Sequence, residues 1–246
     1  MKNRIYLFLL VVLAMHGLTF AGQTKKTVDV MSLPKFKEMT KGVSARARFE
    51  AAAMMHISLG QYEQAIPLLE ALVKQTPNNA TCWELLAIAY NRLGEAQDAF
   101  ETANIAITLR PTYDAFLMER GIAAFQLGKD GKAVADLSRF VKSYSNTPEA
   151  YFYLGLAQAR QGDSSEAAAN LRKARKLNPL LSLMTDYYLG LIAANQGKTI
   201  QAKEMLKETL DAFKGVDSPM KKVISRQLKE IESRQDPEGG KRKKPS

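Results

Sequence analysis

Apolar residues in the central part of the chain recur three and four positions apart, the spacing that puts side chains on one face of an α-helix. One such stripe consists of Trp83, Leu86, Ala87 and Tyr90. The next stripe is built from alanine and consists of Ala99, Ala103 and Ala106. Small side chains on a helix face allow a second helix to approach closely, so the pattern predicts helices packed in pairs.

A fixed step runs along the chain and delimits these pairs. Five glycines are spaced 34, 34, 34 and 35 residues apart, at Gly60, Gly94, Gly128, Gly162 and Gly197. An alanine stands five positions after each glycine, at Ala65, Ala99, Ala133, Ala167 and Ala202. Prolines lie near the ends of three steps, at Pro77, Pro111 and Pro179. Glycine readily takes the positive φ that ends a helix, and proline stops a helix because it lacks an N–H. Each step is therefore predicted to hold two helices joined by a glycine turn.

The repeated residues resemble the tetratricopeptide repeat (TPR), which has large and small apolar residues at fixed places in a helix hairpin. The second step matches with Trp83, Leu86, Tyr90, Gly94, Ala99, Ala106 and Pro111. The fourth step matches with Tyr151, Leu154, Gly155, Gly162, Ala167, Leu171, Ala174 and Pro179. The resemblance covers residues 45–213 and implies an all-α fold, a TPR-type α-solenoid of about five helix-turn-helix repeats plus a C-terminal capping helix.

The resemblance also divides the chain into segments. The TPR array is predicted over residues 43–216, with repeats at 46–79, 80–113, 114–147, 148–182 and 183–216. Residues 22–42 are predicted to form a linker and a short lead-in helix. An apolar stripe of Met220, Val223, Ile224, Leu228 and Ile231 predicts a capping helix at 217–235. The alternative for this stripe is a helix that binds a partner or a membrane surface.

The first 21 residues have the pattern of a signal peptide. Lys2 and Arg4 precede an uncharged apolar run at residues 5–15, and the small residue Ala21 precedes the expected cleavage before Gly22. Eleven apolar residues are short for a membrane span, which needs about 20. The chain is therefore expected to be exported, to the periplasm if the source is a Gram-negative bacterium and otherwise secreted. An uncleaved membrane anchor is the alternative.

The positive charge of the chain is concentrated at its ends. The formal net charge is +10, and six basic residues lie in the leader and the tail, at Lys2, Arg4, Lys241, Arg242, Lys243 and Lys244. Without these six the body carries about +4, which argues against a nucleic-acid partner. Residues 236–246 are predicted to be a disordered basic tail. A solvated tail, or one that binds anionic lipid or polymer at the envelope surface, fits this composition.

The residue inventory favours a protein without catalytic activity. After the leader, His56 is the only histidine, and Cys82 is the only cysteine in the chain. Both stand at positions where the repeat pattern predicts a packed side chain. No catalytic or phosphate-binding motif is present, and the carboxylates are scattered over predicted solvent faces. We therefore expect no cofactor, no metal site and no enzyme activity.

TPR proteins, which this chain resembles, hold a peptide or helix of a partner protein in a concave groove lined by their first helices. Projecting the family pattern gives the groove positions Glu50, Met54, Ile57, Glu84, Ile88, Asn91, Arg92, Met118, Ile122, Phe125, Phe152, Leu156, Arg160, Tyr187, Leu191 and Asn195. Ten of these are large apolar residues, more than a monomer usually exposes in one patch. We expect the groove to bind an amphipathic helix or hydrophobic segment.

Glu50 and Met54 replace the basic and amide residues with which some members of the family bind a terminal carboxylate, so such a carboxylate clamp is excluded. Self-association is left open.

Overall fold

The computed structural model describes residues 29–215 and 217–233, and this part of the chain is all helical. The predicted signal peptide, the first part of the predicted linker and the predicted basic tail lie outside these residues. The twelve α-helices are α1 (Pro34–Met39), α2 (Ala45–Ser58), α3 (Tyr62–Gln75), α4 (Ala80–Leu93), α5 (Ala96–Leu109), α6 (Leu117–Gln126), α7 (Asp130–Ser143), α8 (Pro148–Gln161), α9 (Ser164–Leu177), α10 (Ser182–Asn195), α11 (Thr199–Asp211) and α12 (Pro219–Ser233). None of these helices is long and apolar enough to span a bilayer.

Helices α2 to α11 form five consecutive hairpins, which confirms the predicted solenoid. Each helix packs against the one that follows it, both within a hairpin and between hairpins. Gly94 ends α4 with a φ of 81°, and its N–H bonds back to the carbonyl oxygens of Tyr90 and Asn91. A residue with a Cβ atom would be strained in this conformation. The predicted glycine turn is confirmed at this position, and Gly162 does the same at the end of α8 with a φ of 92°.

In the third, fourth and fifth hairpins, close contact between the two helices depends on one glycine and one leucine. A Cβ atom added to Gly155 of α8 would lie 2.9 Å from the carbonyl oxygen of Ala167 and 2.9 Å from Cγ of Leu171, both on α9. The same pairing joins Gly121 to Leu137 and Gly190 to Leu206 in the third and fifth hairpins. The repeating alanine of the second helix is also buried, as Ala99 and Ala167 show with 0% exposure. Each leucine therefore fills the space that a missing side chain leaves.

The two ends of the stack are covered by different elements. At the N-terminal end, Val30 and Phe36 are buried together with Ala52 of α2. At the C-terminal end, α12 packs on α11, and its Ile224, Leu228 and Ile231 are buried. These three belong to one hydrophobic cluster that begins at Leu117 in the third hairpin. The apolar stripe of α12 is therefore used to close the stack, as expected for a capping helix.

We predict different effects on stability for two glycine-to-alanine changes. Gly155→Ala forces a methyl group against backbone and should lower the free energy of unfolding by about 1–3 kcal/mol. Gly131→Ala adds a methyl group whose nearest neighbour, Nε2 of Gln161, is 3.5 Å away. This second change should be neutral or stabilise by about 0.5 kcal/mol, because alanine favours the helix. Chemical denaturation followed by circular dichroism measures both; equal effects would contradict the close packing at Gly155.

Candidate functional site

The first helices of the five hairpins, α2, α4, α6, α8 and α10, lie next to one another along one side of the stack. Each of them contacts the first helix of the following hairpin. Arg92 of α4 also reaches Glu149 of α8, passing α6, with N–O distances of 2.8 Å and 2.9 Å. A contact that skips one hairpin is expected where the stack curves with its first helices inside, as repeat arrays of this kind do. We call this inside surface the groove.

The contacts between successive first helices repeat with the step of the sequence. Phe125 of α6 meets Tyr153 of α8 edge to face, with ring centroids 5.6 Å apart. One step earlier the same two positions hold Asn91 and Glu119, and Nδ2 of Asn91 donates to the carbonyl and carboxylate oxygens of Glu119 at 2.8 Å each. The equivalent positions in the remaining hairpins are Ile57 with Leu85 and Ala159 with Tyr188. Only the step between the second and third hairpins has polar residues at both positions.

Five residues around this step form what we call the polar cluster: Glu84, Asn91, Arg92, Glu119 and Glu149. Arg92 donates from its two terminal nitrogens to the two carboxylate oxygens of Glu149. Asn91 and Glu119 are each only 2% exposed. The Oδ1 atom of Asn91 is buried and accepts no hydrogen bond from the described residues. Glu84 forms no hydrogen bond or ion pair with these residues. The cluster therefore contains hydrogen-bond acceptors that no donor of the described residues satisfies.

The electrostatics of the polar cluster are dominated by burial and by negative charge. Burial, followed by the charge of Glu119, raises the pKa of Glu84 to about 7. Burial also raises the pKa of Glu119, although the neighbouring Arg92 opposes this shift. The cluster contains three carboxyl groups and one guanidinium group, which is already bound to Glu149. Glu84 and Glu119 therefore hold their protons to higher pH than free glutamates do, and a nearby positive charge would favour their ionised form.

Beyond the polar cluster, aromatic rings pack between the first helices of the later hairpins. Phe152 packs edge to face on both Tyr153 and Tyr188, at centroid distances of 5.7 Å and 5.9 Å. Arg160 stands two steps after Arg92, but its contacts differ. Its guanidinium lies 4.6 Å from the centre of the Phe125 ring and donates to the Phe125 carbonyl oxygen at 3.0 Å. It also pairs with Asp130 at 3.1 Å. Arg160 is therefore engaged with its own chain.

The predicted groove residues differ in how far they reach the surface. Those that are exposed are Met54, Arg160 and Asn195, and those partly exposed are Glu50, Ile57, Glu84, Ile88, Arg92, Met118, Phe125 and Leu191. The expectation that these positions lie open on the groove surface is wrong for five residues that are buried: Asn91, Ile122, Phe152, Leu156 and Tyr187. These side chains pack in the hydrophobic core or, for Asn91, against α6, because neighbouring first helices approach too closely to leave them free. Their contact with a partner remains a prediction.

Two members of the polar cluster, Glu119 and Glu149, are not among the predicted groove residues. The sequence does contain a signal for Glu119, since Leu85, Tyr153 and Tyr188 occupy its equivalents in other hairpins. A charged residue at a repeat position that is otherwise apolar or aromatic indicates a role other than packing. Glu149 lies in the first turn of α8, and nothing in the repeat pattern distinguishes it from an ordinary solvent-facing glutamate.

The two side chains with the greatest chemical reactivity are packed inside the first two hairpins. His56 is 5% exposed, and its Nδ1 lies 2.9 Å from Oε1 of Gln61. Cys82 is 2% exposed. Burial, followed by the charge of Glu50, raises the pKa of its thiol to about 11, so the thiol is protonated at neutral pH. Within residues 29–215 and 217–233, no three potential metal ligands among histidine, cysteine and the carboxylates come together.

We predict that Glu84→Gln stabilises the protein near neutral pH. The pKa of Glu84 is about 7 in the folded chain against a reference value of 4.5, so between these values the folded state binds more protons than the unfolded state. This group therefore makes stability fall as pH rises from about 4.5 to 7. At pH 7.5 the variant should have a melting temperature about 2 °C higher, because glutamine removes a charge that burial and Glu119 disfavour; the gain is small because solvent screens part of the repulsion. At pH 4.5 the melting temperature should be unchanged. Glu204→Gln on the exposed face of α11 is the control. Equal melting shifts at both pH values would contradict the prediction.

We also predict energetic coupling between Arg92 and Glu149. Either Arg92→Gln or Glu149→Gln leaves a partly buried charge without its partner and should cost about 2 kcal/mol. The double variant should cost less than the sum, with a coupling of about 1–2 kcal/mol. Urea denaturation of the four proteins gives this coupling. Simple additivity would show that the pair does not form in solution.

Comparison with known proteins gives partial matches by sequence and longer ones by structure. Cellulose synthase operon protein C of Escherichia coli (strain K12) is 40% identical over 60 residues, which are 24% of this chain and 5% of that protein. The chain thus matches only a small part of the length of this relative. Among solved structures, MamA from Desulfovibrio magneticus RS-1 (residues 41 to the end) is 20% identical with a TM-score of 0.59, covering 71% of this chain and 99% of that one.

A second similar solved structure is YrrB, described as a TPR protein with an unusual peptide-binding site. It is 18% identical with a TM-score of 0.60, and the match covers 79% of this chain and 97% of that one. At such identities both structures show a common fold. The model of the tetratricopeptide repeat family matches residues 50–114 and 118–182, which together make up more than half of the sequence. The chain therefore belongs to the tetratricopeptide repeat family.

Proposed function

We propose that this protein is a non-catalytic scaffold that binds a segment of another protein in its groove. The observation that carries the proposal is the row of contacting first helices, which offers apolar and charged side chains along one side of the stack. Met54 is 56% exposed, and Met118, Phe125 and Leu191 are partly exposed along the same row. Apolar contact area of this kind favours an amphipathic helix or hydrophobic segment as the bound element.

The surroundings of the groove support binding better than chemistry. The buried His56 and the protonated Cys82 are unsuited to act as base or nucleophile. The peptide-binding site named for YrrB is a property of that protein, and it supports the idea that this fold accommodates a peptide. Rigid stacked hairpins also suit recognition, because a preformed surface loses little conformational entropy on binding.

We further propose that this scaffold acts outside the cytoplasm, in the assembly, secretion or maintenance of the cell envelope. The support is the leader-like pattern of residues 1–21. A second candidate function is an adaptor held at an anionic envelope surface by the basic tail. Its support is that α12, which precedes the tail, has a surface cavity lined in part by Lys221, Lys222, Arg226 and Lys229.

Site-specific photo-crosslinking in the source cells tests the groove as the binding surface. We expect a photoreactive phenylalanine at Met54 or Asn195, both exposed groove positions, to yield adducts with the same partner. The matched controls are Ile105 on α5 and Ile200 on α11, which are exposed on second helices. Adducts that form equally from the control positions, or none from the groove, would reject the proposal.

A further inference from the structure

We infer that the groove receives a lysine or arginine side chain of its partner at the polar cluster, with Glu84 as the first contact. This inference rests on the proposed function, since it names the chemistry that the bound segment must carry. The bound segment is then not uniformly apolar: it has one basic residue that fits between the second and third hairpins.

Stacking of the hairpins does not require polar residues at the contact between successive first helices. At this contact the chain uses Phe125 with Tyr153, and in another pair of hairpins Ile57 with Leu85. A buried Asn91–Glu119 pair gives up apolar burial and adds the desolvation of a carboxyl group. A destabilising exception at one step of a repeat indicates a role other than stacking.

The charge of the polar cluster favours a cation as its ligand. Glu84, Glu119 and Glu149 stand against a single guanidinium group, and Arg92 has both terminal nitrogens on Glu149. No lysine or arginine of the described residues forms an ion pair with Glu84 or Glu119. A positive group from outside would relieve the repulsion between Glu84 and Glu119, whereas an anion would increase it.

The hydrogen-bonding groups left over in the polar cluster are acceptors. Asn91 is 2% exposed, and its Nδ2 is fixed by two bonds to Glu119, so its orientation is determined. Its Oδ1 is then an acceptor to which no described residue donates. Glu84 adds a carboxyl group that likewise receives no hydrogen bond within the described part of the chain. An ammonium group brings three N–H donors and a guanidinium group brings five, each with positive charge.

The polar cluster is accessible from the groove. Glu84 is partly exposed, and the side chains of Arg92 and Glu149 are 23% and 25% exposed, so the cluster reaches the groove surface at these residues. Partly exposed Ile88 and Met118 lie on the first helices of the second and third hairpins and provide apolar surface for the aliphatic part of a lysine or arginine. A partner's basic side chain meets Glu84 first, because Asn91 and Glu119 are each only 2% exposed.

A random library of displayed 12-residue peptides, selected on the full chain, tests this inference. We expect the retained peptides to share a lysine or arginine at a fixed distance from apolar residues. For one such synthetic peptide, Glu84→Gln should weaken binding about tenfold, while Glu204→Gln should leave it unchanged. Replacing the basic residue of the peptide by glutamine should cause the same loss, with no further loss on the Glu84→Gln protein.

Several results would overturn the inference, and they are distinguishable from failure of the proposed function. Peptides that bind in the groove but lack a common basic residue, or bind equally to Glu84→Gln, reject the cationic contact alone. Adducts from Met54 or Asn195 with the bound peptide establish that it lies in the groove. A library that yields no binder counts against both proposals. If removal of residues 236–246 strengthens peptide binding tenfold or more, the chain's own basic tail occupies the site, and a partner's side chain is rejected as its occupant.

Discussion

Close approach of the two helices in each hairpin is the constraint on which the rest of the structure depends. Gly155 meets the backbone of α9 directly, and Leu171 fills the space beside it. The same pairing recurs at Gly121 and Gly190, so the third, fourth and fifth hairpins share this close contact. Equal units stacked with an equal offset produce a regular curved array, and the groove is a consequence of that regularity.

The polar cluster is a local exception to this regularity, because it puts polar residues at a contact between first helices that is apolar in the other hairpins. A carboxyl group that is 2% exposed is destabilising unless it is hydrogen-bonded or paired. Glu119 accepts a hydrogen bond from Asn91, and the positive charge that opposes its pKa shift belongs to Arg92, which is bound to Glu149. Proteins often retain such destabilising arrangements at the places where they bind something. The groove therefore combines a stacking surface that is common to all hairpins with a charge pattern that is specific to one step.

The fold can be predicted from the sequence to the level of individual residues, because its determinants are local. The position of Gly94 after an apolar stripe predicts a helix end, and its φ of 81° confirms this. The five-residue offset of Ala99 predicts a close helix contact, and this alanine is fully buried. The groove is harder to predict. The family pattern puts Phe152 and Leu156 on its surface, but the structure buries them, since burial depends on how tightly the next hairpin packs.

What the sequence alone determined, then, is the repeating unit: hydrophobic spacing, glycine turns and small residues act within about one step, so they can be read along the chain. The tertiary structure decided which side chains are accessible, and it brought Arg92 to Glu149 across 57 positions of the sequence. It also decided that Glu119 is close enough to Glu84 for its charge to raise the pKa of that residue. Curvature sums small rotations between hairpins, and no single step of the sequence specifies that sum.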